Sequence, residues 1–591
     1  MIRFAVTSRS CFRAAAKHCR PLRSGCYFSS TICAGGKAPE PTESEDIVRH
    51  THSEGPPTPE IDHPNAPKPT ESEDAVHSDR NAEVTLDDLK RVSKTTDLDP
   101  TKLKDQTKAS YFGVASNDSL HVAGGSKKGV RPLFSRIQND AYDVVIVGGG
   151  VSGLTLAASL KASPHTSALK VALIEGMSLE SAARWDPSPD QLSNRVSSIT
   201  PASKSFLEKI GVWEHVYPER VQEYDNMHVW DGVSGSRIQF DSFHLHPVGQ
   251  SMAYMTENIN LQHALLSYLS ESAATGNSVT IFDNTKVEEI TPTSVALEDV
   301  DLSSWPSVRM SNGSTVYARL LIGADGVNSP VRSYAGIESR GWDYGQHGLV
   351  ATLTMEWNDR QNVAWQRFLP TGPIALLPMP DGKASLVWST TPKLAAHLKS
   401  LSPEAFCTLV NAAFRLDMTD LNYLYTRFNA EDISAEFEWR DGLLPMEDEG
   451  AKFPLRVAEV QEGSRASFPL RMRHCDSYVA PRVALVGDAA HSTHPLAGQG
   501  LNLGQGDVAT LSSVLEKAVV RGADIGDEVV LQEYWAERYP VNHVMLGVID
   551  KLQKLYCTDA APIVALRSVG LDVVNSLDWV KTMIMKQATG V

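Results

Sequence analysis

A glycine-rich turn between two short apolar runs constrains the fold of this chain more than any other feature. The run Tyr142–Val147 is rich in β-branched residues, which is typical of a buried parallel strand. It leads into Gly148, Gly150 and Gly153, which have the spacing G-x-G-x-x-G, and helical periodicity follows over Leu154–Leu160. This strand–turn–helix unit predicts an α/β domain built on a parallel sheet.

The spacing of the three glycines also predicts a ligand. Gly148 permits a tight turn, Gly150 lets a pyrophosphate approach the backbone, and Gly153 lets the helix pack closely on the strand. A second apolar run, Val171–Ile174, ends on Glu175, whose carboxylate would bind a ribose 2′-OH and repel a 2′-phosphate. The unit therefore predicts a dinucleotide site that disfavours NADP. It does not choose between NAD and FAD, and the alternative is a glycine-rich turn in an ordinary α/β core.

Composition narrows the class of protein further. The chain has 591 residues, enough for several domains, and 42% of them are hydrophobic. No apolar run reaches the ~18 residues that a membrane-spanning helix needs. The net charge of -16 argues against nucleic acid as a partner. Three cysteines lie beyond residue 40 and have neither metal-ligand spacing nor a disulfide pattern, which suits a reducing compartment and predicts no metal site.

Two segments precede the predicted domain. Residues 1–39 contain seven basic residues and no acidic one before Glu40, which is typical of a mitochondrial presequence, with a disordered basic tail as the alternative. Residues 40–140 are rich in Pro, Ser and acidic residues, and PTESED occurs at both Pro41–Asp46 and Pro69–Asp74. Such a segment cannot bury enough apolar surface to fold alone, so we expect a disordered linker.

The remaining chain alternates between two kinds of pattern. Helices are expected near Ala202–Ile210 and Asn258–Leu269, and Asn312-Gly313 predicts a hairpin. Residues 349–357, 363–369, 373–379 and 384–390 alternate in the manner of antiparallel strands, with a turn at Asp381-Gly382, and Leu349, Ala351, Leu353, Met355 and Trp357 share one face. We therefore expect a cofactor domain over 141–225, 258–335 and 480–540, a substrate domain over 226–257 and 336–479, and C-terminal helices over 541–591.

Three motifs then carry a resemblance to a known family. They are GGGVSG at 148–153, GADGVNSPVR at 323–332 and VGDAAHSTHPLAGQGLN at 486–502. Their order resembles the class A flavin-dependent aromatic hydroxylases. Within that class, four stretches resemble the mitochondrial ubiquinone-biosynthesis monooxygenases: Asn194–Thr200, Gly341–Val350, Ala364–Pro378 and Asn542–Tyr556. The implied fold is a Rossmann-like FAD-binding domain with an inserted antiparallel-sheet substrate domain, like para-hydroxybenzoate hydroxylase.

The resemblance implies a role for each matching residue. Gly148, Gly150, Gly153 and Glu175 would hold the ADP half of FAD. Arg195 would lie along the pyrophosphate, and Gln262 would reach the cofactor. Asp325 would link flavin and nicotinamide handling, and Asp488 would bind the ribityl chain. The loop Pro495–Asn502, including Gly498, Gly500 and Asn502, would present N–H groups to the isoalloxazine. The alternatives are turn or helix caps for the two aspartates, a surface ion pair for Arg195 and a solvated helix face for Gln262. His491 and His494 are expected to be loop residues without an acid–base role.

The resemblance also implies a reaction and its partners. A flavin C4a-hydroperoxide would hydroxylate C5 of a polyprenylated 4-hydroxybenzoate-type ring, using O₂ and electrons from a mitochondrial ferredoxin and its reductase. The motifs assign no catalytic base to the phenol. The enzyme would be peripheral on the matrix side of the inner membrane, in a ubiquinone-biosynthesis complex. The alternatives are an NAD(P)H-dependent hydroxylase of another aromatic substrate and a flavin-bound scaffold.

Two surface features complete the expectations. A basic patch for an acidic ferredoxin is predicted from residues clustered in sequence: Arg465, Arg471, Arg473, Lys551 and Lys554. A helix is expected over Ala565–Met585, where Val569, Val573, Leu577, Val580 and Ile584 recur at helical spacing. Such a face more often packs on the protein's own core than on a membrane or partner.

Overall fold

A computed structural model describes residues 140–244, 251–293, 302–356, 362–444 and 452–590. The predicted presequence, the predicted linker up to residue 139, and Trp357 lie outside the described residues.

The strands, numbered in chain order, are Ala141–Val147 (β1), Val171–Ile174 (β2), Val196–Ile199 (β3), Val221–Tyr224 (β4), Asn226–Asp231 (β5), Arg237–Asp241 (β6), Ala253–Glu257 (β7), Val279–Phe282 (β8), Val287–Pro292 (β9), Pro306–Met310 (β10), Thr315–Gly323 (β11), Ser339–Met355 (β12), Val363–Leu369 (β13), Gly372–Pro378 (β14), Lys383–Thr390 (β15), Val457–Val460 (β16), Ala466–Cys475 (β17), Val479–Ala480 (β18), Val483–Leu485 (β19) and His491–Ser492 (β20).

The α-helices are Val151–Ala162 (α1), Glu180–Ala183 (α2), Pro201–Lys209 (α3), Asn258–Ala274 (α4), Pro330–Tyr334 (α5), Pro392–Ser400 (α6), Pro403–Arg415 (α7), Met418–Leu424 (α8), Ala430–Asp441 (α9), Gln499–Arg521 (α10), Glu528–Tyr556 (α11), Ala561–Ser576 (α12) and Asp578–Thr589 (α13).

The first sheet is the predicted parallel sheet. Its parallel strands run in the order β19, β11, β1, β2, β8, and the hairpin β9–β10 pairs with the start of β11. The inner strands are apolar on both faces, and β2 is buried at every position. Helix α1 packs against both α4 and α10 beside this sheet. The carboxyl ends of the parallel strands therefore meet at one edge.

The second sheet is the predicted antiparallel sheet. Its order is β20, β17, β12, β15, β14, β13, β5, β6, with β16 beside β12. The predicted alternation is confirmed, because Leu349, Ala351 and Leu353 are buried against α6 to α9. The turn at Asp381-Gly382 is also confirmed, since both residues have positive φ and join β14 to β15. A third, small sheet joins β3, β7 and β4.

The C-terminal region differs from the prediction in two ways. The helix expected over Ala565–Met585 is two helices, because Leu577 has an extended backbone (φ -111°, ψ 88°) between α12 and α13. The apolar face expected to pack on the core is largely open to solvent, with Val569 62% and Val573 50% exposed. The periodicity was correct, but apolar spacing alone does not say which partner covers a helix face.

A buried ion pair attaches α12 to the second sheet. Both nitrogens of the Arg567 guanidinium fork contact Asp231 at 2.8 Å, and both side chains are almost fully buried. Arg567 also donates to the carbonyls of Leu555 and Thr558, at the end of α11. One side chain therefore joins α11, α12 and the end of β5.

We predict that Arg567→Met lowers the free energy of unfolding by about 3–5 kcal/mol, because it leaves Asp231 buried without its counter-charge. The exposed pair between Arg309 and Glu289 serves as a control, and Arg309→Met should cost no more than about 1 kcal/mol. Urea titration of both variants measures the difference. Equal losses would contradict the role given to the buried pair.

Candidate cofactor-binding site

The residues predicted to bind a cofactor follow the carboxyl ends of four neighbouring parallel strands. Gly148 follows β1, Glu175 follows β2, Asp325 follows β11 and Gly487 follows β19. The chain passes from β1 to β2 on one side and returns through β11 on the other. The strand order therefore reverses between β1 and β11, which is where open α/β sheets bind ligands.

The glycines of the first motif have different structural roles. Gly148 has φ +111°, and a Cβ there would overlap the carbonyl of Ala324. A Cβ at Gly153 would overlap the carbonyl of Gly148, whereas a Cβ at Gly150 would meet no atom within 4 Å. Packing thus requires two of the glycines, while Gly150 faces open space at the start of α1. The helix begins without a side-chain cap, so its first N–H groups are available to an anion.

Glu175 and Gln262 both lie against the glycine turn. The Glu175 carboxylate accepts hydrogen bonds from the N–H of Gly149 at 2.5 Å and of Met177 at 2.7 Å. The Gln262 amide donates to the carbonyl of Gly149 at 3.3 Å. Each Glu175 oxygen keeps a lone pair for a hydroxyl group. Gln262 therefore contacts the glycine turn and is not on a solvated helix face, while its contact with a cofactor stays a prediction.

Arg195 lies immediately before β3 and is exposed. Its backbone carbonyl accepts from Asn258, which fixes the strand against the start of α4. Within the described part of the chain, its guanidinium makes no ion pair. The charge is therefore available to an anionic ligand, and the alternative of a surface ion pair finds no partner among those residues.

Asp325 carries an unpaired buried acceptor. Its Oδ2 accepts from the N–H of Val331 at 3.3 Å, but its Oδ1 is buried and has no hydrogen-bond partner in the described part of the chain. Burial raises the pKa of this carboxyl, while hydrogen bonds from Ser329 and the Val331 backbone act in the opposite direction. A buried acceptor without a donor is costly unless a ligand supplies one, so Asp325 fits a hydroxyl-bearing group.

Asp488 lies in a short 3₁₀ turn, Gly487–Ala489, after β19. Its side chain is exposed, yet the surrounding protein is dense enough to raise the pKa of the carboxyl, with His491 opposing that shift. An exposed carboxylate among so many protein atoms marks the wall of a concave surface. Asp488 is therefore available to a ligand in the crevice.

The first and third motifs pack directly on each other. Gly487 has φ +59°, and a Cβ there would lie 2.9 Å from the Ser152 hydroxyl of α1. A Cβ at Gly504 of α10 would meet the same hydroxyl at 2.9 Å. The start of α10 therefore lies beside the start of α1, and two helix N-termini face one crevice.

The segment Pro495–Asn502 is only partly a loop. Pro495–Ala497 forms a 3₁₀ turn, Gly498 has φ +60°, and α10 begins at Gln499, so Gly500 lies in its first turn with a free N–H. The Asn502 side chain points inward. It accepts from the N–H of Thr200 at 3.0 Å and donates to the carbonyl of Ser198 at 2.7 Å.

Both histidines expected in a loop are buried, and only His494 lies in the predicted loop. His491 belongs to β20, and its Nε2 lies 2.6 Å from the carboxylate of Asp507 on α10. His494 is fully buried, which lowers its pKa to about 4, and its Nδ1 accepts from the N–H of Leu496. The sequence did contain a signal for the contact between His491 and Asp507. Asp507 stands four residues from both Leu503 and Leu511, and therefore on a buried helix face.

The residues present fit a flavin dinucleotide. Gly150 leaves room for a pyrophosphate at the N-terminus of α1, the N-terminus of α10 adds free N–H groups nearby, and Asp325 offers an unpaired acceptor at the crevice between β1 and β11. Among the described residues, no group of three His, Cys, Asp or Glu side chains is arranged to hold a metal ion. None of the described helices is both long and apolar enough to cross a bilayer.

Comparison with known proteins defines the class. A family model described as FAD binding domain matches residues 141–442 and 450–547. The fold resembles that of p-nitrophenol 4-monooxygenase from Pseudomonas putida, with a TM-score of 0.54 and 18% identity over 76% of this chain and 99% of that one. The chain thus contains an FAD-binding domain and has the predicted fold.

Two relatives define the family. The mitochondrial ubiquinone biosynthesis monooxygenase COQ6 of Saccharomyces cerevisiae is 44% identical over 462 residues, covering 76% of this chain and 94% of the yeast protein. The human COQ6 is 40% identical over 452 residues, covering 76% and 92%. This chain belongs to the ubiquinone biosynthesis monooxygenase family, which confirms the resemblance drawn from its motifs.

We predict that Gly150→Ala weakens FAD binding by at least about tenfold without destabilising the apoprotein, because its Cβ enters only the open space meant for the pyrophosphate. Gly153→Ala should instead destabilise the fold, because its Cβ overlaps the carbonyl of Gly148. Apoprotein melting temperature and FAD fluorescence titration separate the two effects. Unchanged FAD affinity in Gly150→Ala would contradict the position of the pyrophosphate.

Proposed function

We propose that this chain uses FAD and O₂ to hydroxylate C5 of a polyprenylated 4-hydroxybenzoate-type ring in ubiquinone biosynthesis. The observation that carries the proposal is the convergence of three separated glycine–acid motifs at one sheet edge, in a member of this family. The chain would act in mitochondria, as the names of the yeast and human relatives indicate for those proteins.

The cofactor would lie across the crevice between β1 and β11. Gly148, Gly150 and Gly153 would receive its pyrophosphate, and Glu175 would bind the adenosine ribose, with Gln262 beside it. Arg195 would add positive charge along the pyrophosphate. Asp488 would accept hydrogen bonds from the ribityl hydroxyls. Asp325 would offer its unpaired oxygen to a hydroxyl of the cofactor and link flavin and nicotinamide handling. The turn at Pro495 and Gly498 would direct the start of α10 toward the flavin ring, where the N–H of Gly500 is free to donate. Asn502 would hold this segment in place through Ser198 and Thr200.

Bound FAD supplies the redox chemistry and activates O₂. The protein's contribution is to orient the aromatic ring of the substrate and to keep water away from the reacting atoms. The second sheet offers a surface for this. Val350, Val387 and Ala375 are register partners on β12, β15 and β14, on the face opposite the core shared with α6 to α9. All three are only partly buried, although β15 lies between two other strands.

Incomplete burial at the centre of a sheet indicates an open space above it. Apolar side chains line this part of that space, which suits an aromatic ring or a polyprenyl tail. We assign this inner face, defined by Val350, Ala375 and Val387, as a wall of the substrate site.

The reaction is tested with purified protein, the extracted lipid precursor and mass spectrometry of the product. We expect yellow protein that adds one oxygen atom to the ring. Val387→Trp should abolish that product while FAD content stays normal, because the larger side chain fills the substrate space and not the cofactor crevice. Colourless protein that takes up no FAD, or an unmodified precursor in a complete assay, would overturn the proposed reaction.

The electron donor in this proposal is a ferredoxin, which is an acidic one-electron carrier. The five basic residues predicted to receive it do not form one patch. Arg465 is turned toward the carbonyl of Leu401, at 2.7 Å. Arg471 contacts Asp343 at 3.2 Å, and the Lys554 ammonium lies 4.2 Å from the Trp342 ring centroid. Arg471 and Arg473 alternate with Met472, the register partner of Trp342, and therefore lie on the opposite face of β17 from Trp342. The docking surface is narrowed to Lys551 and Lys554, beside the exposed Trp342.

We predict that Lys551→Glu with Lys554→Glu slows reduction by ferredoxin and its reductase and flattens the salt dependence of that rate, because electrostatic steering is lost. Reduction by dithionite should not change, since it needs no docking. Lys209→Glu, at an exposed residue of α3, is the control. Equal ferredoxin rates in the wild-type and doubly substituted proteins would remove this surface from the proposal, and faster reduction by NADPH would favour the direct route.

The proposal also includes peripheral contact with the matrix side of the inner membrane, within a ubiquinone-biosynthesis assembly. The C-terminal face, defined by Ile563, Leu566, Val569, Val573, Trp579 and Met583, supports it. These residues are 40–75% exposed. The four on α12 fall within one side of the helix, and an exposed tryptophan beside aliphatic residues is typical of interfacial helices.

We predict that Leu566→Asp with Val569→Asp lowers binding to vesicles of inner-membrane lipids by about tenfold or more, because each lost apolar side chain removes part of the transfer free energy. Folding should be preserved, because both side chains are exposed. Val520→Asp, at an exposed valine on α10, should have no effect. Undiminished co-sedimentation would exclude this face as the contact.

A further inference from the structure

A buried polar cluster lies behind the Gly487–Ala489 turn and has no place in the function described so far. Its centre is the Asp507 carboxylate, which is inaccessible to solvent. Oδ2 faces His491 Nε2 at 2.6 Å and accepts from the Gly487 N–H at 3.2 Å. Oδ1 accepts from Arg538 Nε and from the Asn542 amide, both at 2.9 Å. Four donors therefore converge on one buried carboxylate.

Burying these charged groups costs solvation free energy, which argues that the cluster does more than fill space. Burial by itself would raise the pKa of the Asp507 carboxyl, but His491, Arg538 and Asn542 outweigh burial and hold it at about 2. The charge of Arg538 balances that of Asp507. A Cβ at Gly506 would lie 2.7 Å from an Arg538 nitrogen, so the glycine makes room for the guanidinium.

Asp507 forms hydrogen bonds with residues on both sides of Asp488, in and just after the turn Gly487–Ala489. Gly487 precedes Asp488 directly, and His491 follows it by three residues. Both are held to the same carboxylate, while Asp488 itself remains exposed. Asp507 stands on α10 and Arg538 on α11, so two long helices fix the two ends of a short turn. Hydrogen bonds on the buried side of the turn thereby fix the orientation of Asp488.

We propose that Asp507, His491 and Arg538 are positioning residues that hold Asp488 in the orientation needed to receive FAD. This inference rests on the proposed role of Asp488 in cofactor binding. It predicts that loss of the His491 contact weakens FAD binding even though His491 does not touch the cofactor. His491 is the residue to change, because Arg538 and Asn542 still neutralise and bond Asp507 when the imidazole is gone.

The test measures FAD dissociation constants of apoproteins by flavin fluorescence, together with apoprotein melting temperatures. We expect His491→Ala to weaken FAD binding by about tenfold, the loss of one charge-assisted hydrogen bond, and to shift the visible spectrum of bound flavin. His543→Ala is the matched control. His543 contacts His474 in the same region, at 3.4 Å, but does not bond Asp507, and its substitution should leave both readouts unchanged.

A double-mutant cycle with Asp488→Asn separates positioning from simple stability. If His491 acts through Asp488, its substitution should have much less effect on FAD binding once Asp488 is already altered. Additive losses, or a lower melting temperature with unchanged FAD affinity and spectrum in His491→Ala, would overturn the inference. If Asp488→Asn alone leaves FAD affinity unchanged, the proposed role of Asp488 fails, which is a separate outcome.

Discussion

The cofactor crevice depends on backbone approaching backbone more closely than any side chain would permit. Gly148 and Gly153 bring β1, α1 and the end of β11 together, and Gly487 and Gly504 bring the late motif against Ser152. These two sets of close contacts bring motifs that are more than 300 residues apart together at one edge of the first sheet. Gly150 is different, because it leaves space that the folded chain does not use. The difference separates glycines needed for folding from the glycine available to a ligand.

The sequence allowed local features to be predicted well, because their causes are local. The strand β2 follows from a continuous apolar run. The hairpin after β10 and the turn at Asp381-Gly382 follow from alternation and from residues that tolerate positive φ. The burial of His491, the inward direction of Asn502 and the exposure of the α12 face depend on tertiary contacts. Asp507 was not predicted either, although an acid on an apolar helix face is itself a signal that partners must exist.

Charge is used differently at different depths of this acidic protein. At Asp231 and Asp507 a carboxylate is buried, and an arginine with several further donors compensates for the lost solvation. At Asp325 one oxygen is left without a donor, and at Asp488 the carboxylate stays exposed. The first pair holds helices in place, whereas the second pair is open to a ligand. Acids whose hydrogen bonds are all made inside the protein therefore stabilise the fold, whereas acids with a free acceptor mark the candidate cofactor site.

The segment from Asp488 to Gly498 joins the first sheet to the second. His491 and Ser492 form β20, which pairs with His474 and Arg473 of β17, at the edge of the second sheet. Three residues later the chain enters the turn at Pro495, and the neighbouring His494 faces the Gln346 amide oxygen of β12 at 3.3 Å. The segment between Asp488 and Gly498 is therefore bonded to the second sheet, while its two ends lie at the candidate cofactor site. In the proposed function, this segment would link the position of the cofactor to that of the inner face defined by Val350, Ala375 and Val387.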